Sequence, residues 1–270
     1  MAEEIQNQLN RLKANAMGET QMVFPLSVVI VTCDDDAKFL EGCLMSIPRY
    51  SEVIIAYTYA EKRQDYSENN TQRIALDTSK AYCIQNLTVK EIELHYPADD
   101  LNMSELRNRS KAHATREFIL SLDTDERVFM PLDFIRELYT LSKSTNEIGG
   151  FNVLINNFAR NTDANKIWTH AQICRLYRNN PEFYYKNRIH EVITPSIVNA
   201  GYKIIETAVS ILHVGYFFTE PGPLIKKLLR NLKGMYQDLA LDYTDIALND
   251  YVFRTLRELR DLGLKPEGSL

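Results

Sequence analysis

Hydrophobic residues in this chain fall into short runs separated by polar, helix-prone stretches. Residues 26–32, Leu-Ser-Val-Val-Ile-Val-Thr, are rich in β-branched side chains and predict a first strand. Cys33-Asp34-Asp35-Asp36 follows as a loop, and Asp36 is placed to cap a helix from 37 to about 47 that Pro48 stops. Residues 52–57 predict a second strand, 60–72 a polar loop, 71–85 a helix and 89–94 a third strand. Asn102-Met103-Ser104-Glu105 has the form of a capping box, with Asn102 as cap and Glu105 reaching back, and opens a helix to about 115. Residues 118–122, Phe-Ile-Leu-Ser-Leu, lack polar alternation and predict a buried strand. Strands alternating with helices imply a mostly parallel sheet covered on both faces.

In the second half, Gly149-Gly150 precede a strand at 151–158, and a polar loop at 161–166 separates it from another at 169–177. From Pro221 onward the chain turns helical, with Leu228, Leu229, Leu232 and Met235 on one stripe. The pattern divides the chain into a polar arm or helix at 1–22, an α/β domain at 23–218 and a helical extension at 219–270. No long-period repeat or low-complexity tract interrupts it.

A length of 270 residues allows one large domain with a small appendage. The formal net charge of -5 gives no general basic field for nucleic acid. Cys33, Cys43, Cys83 and Cys174 form no CxxC pair and are expected as reduced, mostly buried thiols of a cytoplasmic protein. The first residues are too polar for a signal peptide, and no apolar run approaches the roughly 20 residues of a membrane span. The apolar stripe after Pro221 is expected to pack on the domain as a lid or homodimer surface. The alternative is peripheral contact with an acidic membrane through Lys226, Lys227, Arg230 and Lys233.

The densest chemistry lies where the strand at 118–122 ends in Asp123-Thr124-Asp125-Glu126, three acids within four positions. Open α/β sheets bind ligands at that end of their strands. Asp123 and Asp125, two apart, match carboxylates that share a divalent cation bound to a diphosphate, and hard oxygen donors suit magnesium or manganese. An acidic turn with no ligand is the plain alternative. The preceding helix presents Arg107, Asn108 and Lys111 on one face, to neutralise a phosphate, to hold the acids, or only to meet solvent. Downstream come Arg175-Leu176-Tyr177-Arg178 and Arg188-Ile189-His190-Glu191. Glu191 is a candidate general base toward an attacking hydroxyl, and His190, with an ordinary pKa near neutrality, competes for that role. His213 follows an apolar run. Alone it reads as a structural histidine; beside two carboxylates and a diphosphate its imidazole suits manganese.

In their order and spacing these pieces resemble the GT-A glycosyltransferases of family 2, which use nucleotide-activated sugars. The resemblance spans roughly residues 26–216. It rests on the first strand, Arg107-Asn108 with Ala112 and Ala114, the strand end at 119–126, Arg175-Leu176-Tyr177-Arg178, Arg188-Ile189-His190-Glu191 and His213-Val214-Gly215-Tyr216. Arg230-Asn231-Leu232 resembles a helical extension found in one branch of the family. The resemblance implies a GT-A, Rossmann-like α/β fold: a mostly parallel central sheet flanked by helices, with a C-terminal helical extension. It implies inverting transfer of a sugar from a nucleoside-diphosphate sugar, foremost a UDP-sugar, to an acceptor hydroxyl, with Mn2+ or Mg2+ as cofactor. By position it makes Asp125 the metal-binding acid, with Asp123 near the ribose or sugar and bridging to the metal through solvent. His213 becomes the downstream metal or diphosphate ligand and Glu191 the base. His190 and Arg188 would line the sugar or acceptor pocket, and Arg107, Asn108 and Lys111 would serve the donor diphosphate.

The chain departs from the family at Ala56-Tyr57-Thr58-Tyr59-Ala60, where members carry an acid in a DxGSxD-like turn. Two rival readings stand beside this one. A nucleotidyltransferase would bring a glycine-rich loop after the first strand, and Thr32-Cys33-Asp34-Asp35-Asp36 contains no glycine. A non-catalytic glycan- or nucleotide-binding relative would keep the fold without the reaction.

Overall fold

The computed structural model describes residues 24–32, 37–60, 87–97, 100–144, 147–159, 167–216 and 221–264. The expected polar arm, the Asp36 cap, the loop following residue 60, the helix at 71–85 and the loop at 161–166 lie outside the described residues. Among those described, β1 (Leu26–Thr32), β2 (Glu52–Ala60), β3 (Thr88–Tyr96), β4 (Phe118–Asp123), β5 (Glu126–Phe129), β6 (Ile148–Ala159), β7 (Ile167–Arg178) and β8 (Lys203–Tyr216) form one sheet. Its order is β3-β2-β1-β4-β7-β6-β8-β5. The helices are α1 (Ala37–Ser46), α2 (Met103–Lys111), α3 (Leu132–Ser142), α4 (Thr194–Asn199), α5 (Pro221–Leu239) and α6 (Ile246–Asp261).

The expectation of a mostly parallel sheet holds in part: four strand pairs are parallel and three are antiparallel. Strands β3, β2, β1 and β4 run parallel, as the alternation predicts. Beyond β4 the pairs β4–β7, β6–β7 and β5–β8 are antiparallel, and only β6–β8 is parallel. The change follows from connectivity: residues 160–166 make too short a link between β6 and β7 for the crossover that a parallel pair needs.

Period-two alternation sorts β4 onto two faces. Phe118, Leu120 and Leu122 enter the larger core with Leu40, Cys43 and Leu44 of α1 and Phe134 and Leu138 of α3. Ile119 faces the other side, with Val29, Ile54, Phe183, Tyr185 and Ile197. Ser121 and Asp123 continue that second face, so the strand's polar positions emerge under α2. The first strand is buried at every position, as its unbroken apolar run requires.

The cap of α2 forms in half. The Asn102 side chain accepts the Glu105 N–H at 3.1 Å, while the Glu105 carboxylate lies 3.8 Å from Arg109. The helix ends at Lys111, short of the expected 115, because Thr115 is drawn into another bond: its N–H and hydroxyl both donate to Glu52 at 2.8 Å. The bare backbone at Gly149 lets β6 start against Tyr202, where a Cβ would stand 2.5 Å from that residue's own Cβ. The stripe on α5 is core-facing except at one position: Leu228 and Met235 are buried, and Leu229 is 48 % exposed. Cys43 and Cys174 are free and buried; Cys33 and Cys83 fall outside the described residues. No helix among the described residues is long and apolar enough to cross a membrane.

Candidate functional site at the end of β4

Two arginines, one buried and one partly buried, organise the acids. Arg107 on α2 is 3 % exposed and donates from all three guanidinium nitrogens: Nη2 to Asp123 Oδ1 at 2.6 Å, Nη1 to Ser121 Oγ at 2.8 Å, and Nε to Glu191 Oε1. Such a fork suits one arginine to two carboxylates at once. Its charged form is strongly favoured; burial opposes the charge, and Asp123 and Glu191 outweigh that opposition. Arg175, on β7, places Nη2 3.3 Å from Glu126 Oε1 and 3.5 Å from Asp123 Oδ2. Burial works against ionising Asp123, yet the two guanidinium groups hold its carboxyl well below the usual range. Glu126 goes the other way: it is buried, burial raises its pKa, and Arg175 only partly offsets this. Its Oε2 accepts the Asp123 N–H at 2.8 Å, tying the turn between β4 and β5.

A second pair lies beside this cluster. β8 places His213 opposite Glu126 in one ladder and opposite Asn157 in the other. The imidazole Nε2 lies 3.2 Å from Asp125 Oδ2, and Nδ1 lies 2.7 Å from Asn157 Oδ1. An amide oxygen at that distance accepts a proton carried on Nδ1, which leaves Nε2 facing Asp125. Burial disfavours the imidazolium, but the hydrogen bond and charge of Asp125 raise the His213 pKa. The Val214 N–H donates to the Asp125 carbonyl at 2.9 Å and keeps the two residues in register.

The expected site residues separate into two groups. Asp123, Arg107 and Glu191 form one connected cluster, and Asp125 with His213 the adjoining pair. Asn108, Arg188 and His190 are engaged with the protein itself. The Asn108 amide donates to the Tyr185 carbonyl at 3.0 Å and accepts the Tyr185 N–H at 2.8 Å. Arg188 pairs with Asp100, and the His190 ring stacks on Tyr251. Lys111 is buried on α2, and burial lowers its pKa. Sequence reasoning quoted Arg175 and Glu126 within motifs without assigning them a part, and it passed over Ser121 and Asn157. Asn157 gave little signal, being one of three asparagines in its strand with Asn152 and Asn156.

The donor chemistry can be tested for a divalent ion. Among the described residues, no three His, Cys, Asp or Glu side chains converge as a metal cage. Asp123 already has Arg107 on one oxygen and Arg175 near the other, which leaves the carboxylate–imidazole edge of Asp125 and His213. One carboxylate and one imidazole fit manganese or magnesium only if the substrate supplies most of the remaining oxygens, as a diphosphate does.

No protein-family model matches the chain, and no curated protein does. Among solved structures it is similar to S. aureus TarS 1-349 in complex with UDP-GlcNAc, at 11 % identity and a TM-score of 0.41, covering 87 % of this chain and 72 % of that one. A further structure of S. aureus TarS matches at 12 % identity and a TM-score of 0.45, over 91 % of this chain and 46 % of that one. The complex of TarS 1-349 with UDP matches at 11 % identity and a TM-score of 0.40. These likenesses are distant.

Proposed function

We propose that the chain is an inverting glycosyltransferase of the GT-A type, related to family 2, that uses a nucleoside-diphosphate sugar. One observation carries this reading: at a single strand end, a carboxylate–imidazole edge (Asp125 and His213) adjoins two carboxylates joined through one buried arginine (Asp123 and Glu191). The first suits a cation on a diphosphate; the second sets an ionised acid near the same substrate. Asp125 and His213 would hold manganese or magnesium, which when bound offsets the charge growing on the departing diphosphate. Asp123, the most open of these acids at 34 % exposure, faces the sugar or ribose.

In the reaction the acceptor oxygen attacks the anomeric carbon from the side opposite the diphosphate. The new carbon–oxygen bond forms as the carbon–phosphate-oxygen bond breaks, and the acceptor proton passes to Glu191. Arg107 fixes the direction of the Glu191 carboxylate through Nε. Arg188 and Asn108 position the loop rather than touch the donor.

The test is a panel of nucleoside-diphosphate sugars with Mn2+, followed by release of the nucleoside diphosphate. One donor should be hydrolysed slowly without acceptor and faster with the right one. Asp125→Ala should abolish both while the protein stays folded. Glu191→Gln should keep donor affinity and lose on the order of 10²–10⁴ in transfer rate. A folded wild-type protein that binds none of these donors would overturn the reading, as would near-normal turnover by Asp125→Ala.

A further inference from the structure

The loop that carries Glu191 draws its shape from residues far along the chain. It is pinched at its base by mutual backbone bonds between Lys186 and Val192, at 2.9 and 3.1 Å. Within it Asn187 and His190 have φ of 67° and 57°, left-handed values that are uncommon outside glycine and that asparagine and histidine adopt more readily than most. At Arg188, Ile189 and His190 the loop meets the C-terminal helices.

Three successive loop residues are each gripped by a different C-terminal group. Near the end of α5, Asp238 accepts the Arg188 N–H at 2.5 Å, and its other oxygen lies 3.7 Å from Arg188 Nε. Ile189 is buried in a cluster with Met235, Leu248 and Val252. Gly234 makes this approach possible, since a Cβ there would stand 2.7 Å from Ile189 Cγ1. The His190 ring lies parallel to Tyr251 of α6, with centroids 4.0 Å apart and planes 7° from coincidence. Glu191, the next residue, is the one turned to Arg107. The α2 side adds the Met103 N–H bond to the Arg188 carbonyl at 2.9 Å, the Arg188–Asp100 ion pair just before that helix, and Arg107 on Glu191 itself. The Asp125–His213 pair, by contrast, is built on β5, β6 and β8.

We propose that the C-terminal helix pair is the positioning device for Glu191. Asp238 and Tyr251 act through Arg188 and His190 to aim the carboxylate that takes the acceptor's proton. They are positioning residues and touch no reacting atom. This inference rests on the glycosyltransferase reading and on Glu191 as its base. It implies that anything displacing α5 and α6 changes transfer while leaving the donor side intact.

The test uses the full chain with Tyr251→Leu, Tyr251→Phe and Asp238→Ala, and has two readouts. The first is amide hydrogen exchange over residues 186–192. Tyr251→Leu and Asp238→Ala should accelerate it about ten-fold while the amides of β1 and β4 stay protected. The second is kinetic: transfer should fall roughly ten- to a hundred-fold, as expected of a misplaced catalytic group, with affinity for the nucleoside diphosphate and Mn2+ unchanged. Tyr251→Phe keeps the ring and should recover both. If Asp238→Ala does not fold, Tyr251→Leu alone decides the test. Unchanged exchange, unchanged transfer, an equal loss of donor affinity, or no recovery with phenylalanine each overturns the inference. Its failure is distinct from that of its premises. A wild-type protein inert toward every nucleotide sugar sinks the glycosyltransferase reading, and an unimpaired Glu191→Gln sinks the base. An active wild type with an impaired Glu191→Gln and a normal Tyr251→Leu sinks this inference alone.

Discussion

Arg107 concentrates more of the site in one side chain than any other residue. It joins α2 to the end of β4 through Asp123 and Ser121, and to the Glu191 loop through Nε. Tyr185, whose backbone the neighbouring Asn108 holds, also places its ring 5.9 Å from the guanidinium. Lysine keeps the charge but has one nitrogen and no fork, so it cannot reproduce the three directions in which Arg107 meets Asp123, Ser121 and Glu191. Arg107→Lys is therefore expected to strand one acid without its cation. The cost should be about 3 kcal/mol, the low end for a broken buried pair because Asp123 keeps contact with water. Transfer should fall at least about a hundred-fold, since the base loses its orientation. Thermal unfolding and initial rates on the same preparation check both. A variant of normal stability and rate would show that the two acids need no common partner.

At the scale of elements, the parallel half of the sheet is stitched at the end opposite the site. Glu52 opens β2 and accepts from the Ser27 hydroxyl of β1 at 2.5 Å and from the Thr115 N–H and hydroxyl at 2.8 Å. Burial pushes its pKa up, but these hydrogen bonds outweigh burial, and the net shift is downward from the ordinary 4.5. A carboxyl with a depressed folded pKa contributes stability above its unfolded value and loses it as pH falls. Glu52→Gln should thus lower the melting temperature at neutral pH, and the gap to wild type should close as pH drops below about 4.5. A gap that stays constant with pH would place the effect in packing instead of charge. The two sheet edges are also guarded differently. β3 carries Lys90, Glu91 and Glu93 along a largely exposed strand, and β5 is only four residues long; both features discourage pairing with another chain.

For the whole molecule, the question is whether α5 and α6 form a separate unit. Ile189 from the site loop shares one apolar cluster with Met235, Leu248 and Val252, and Leu101 and Met103 pack against it. Asp238 and Tyr251 add polar and aromatic contacts to the same loop. A helix pair joined in this way should melt with the sheet. Far-ultraviolet and near-ultraviolet signals are expected to follow one transition, with a calorimetric enthalpy equal to the van't Hoff value. An early loss of helical signal before the aromatic signal changes would show that the hairpin unfolds by itself.

Short-range physics made the strands legible from the chain. An unbroken apolar run allows one environment for β1 and β4, and the acids that end β4 could lie only at its carboxyl end. The same reasoning placed Arg107 on a helix entering that strand and drew attention to Glu191, Asp125 and His213. It did not reveal the direction of each polar side chain, because a charged residue satisfies its neighbours equally well in solvent or in a pair. Only the tertiary structure decided that Arg107 serves two acids, that Asn108 holds the Tyr185 backbone, that Arg188 pairs with Asp100 and Asp238, and that His190 lies on Tyr251. The antiparallel half of the sheet is similar. β5 is too short to carry a period, and the pairs β4–β7, β6–β8 and β5–β8 join strands remote in sequence, so this pairing depends on which faces are left to bury once the parallel half has formed.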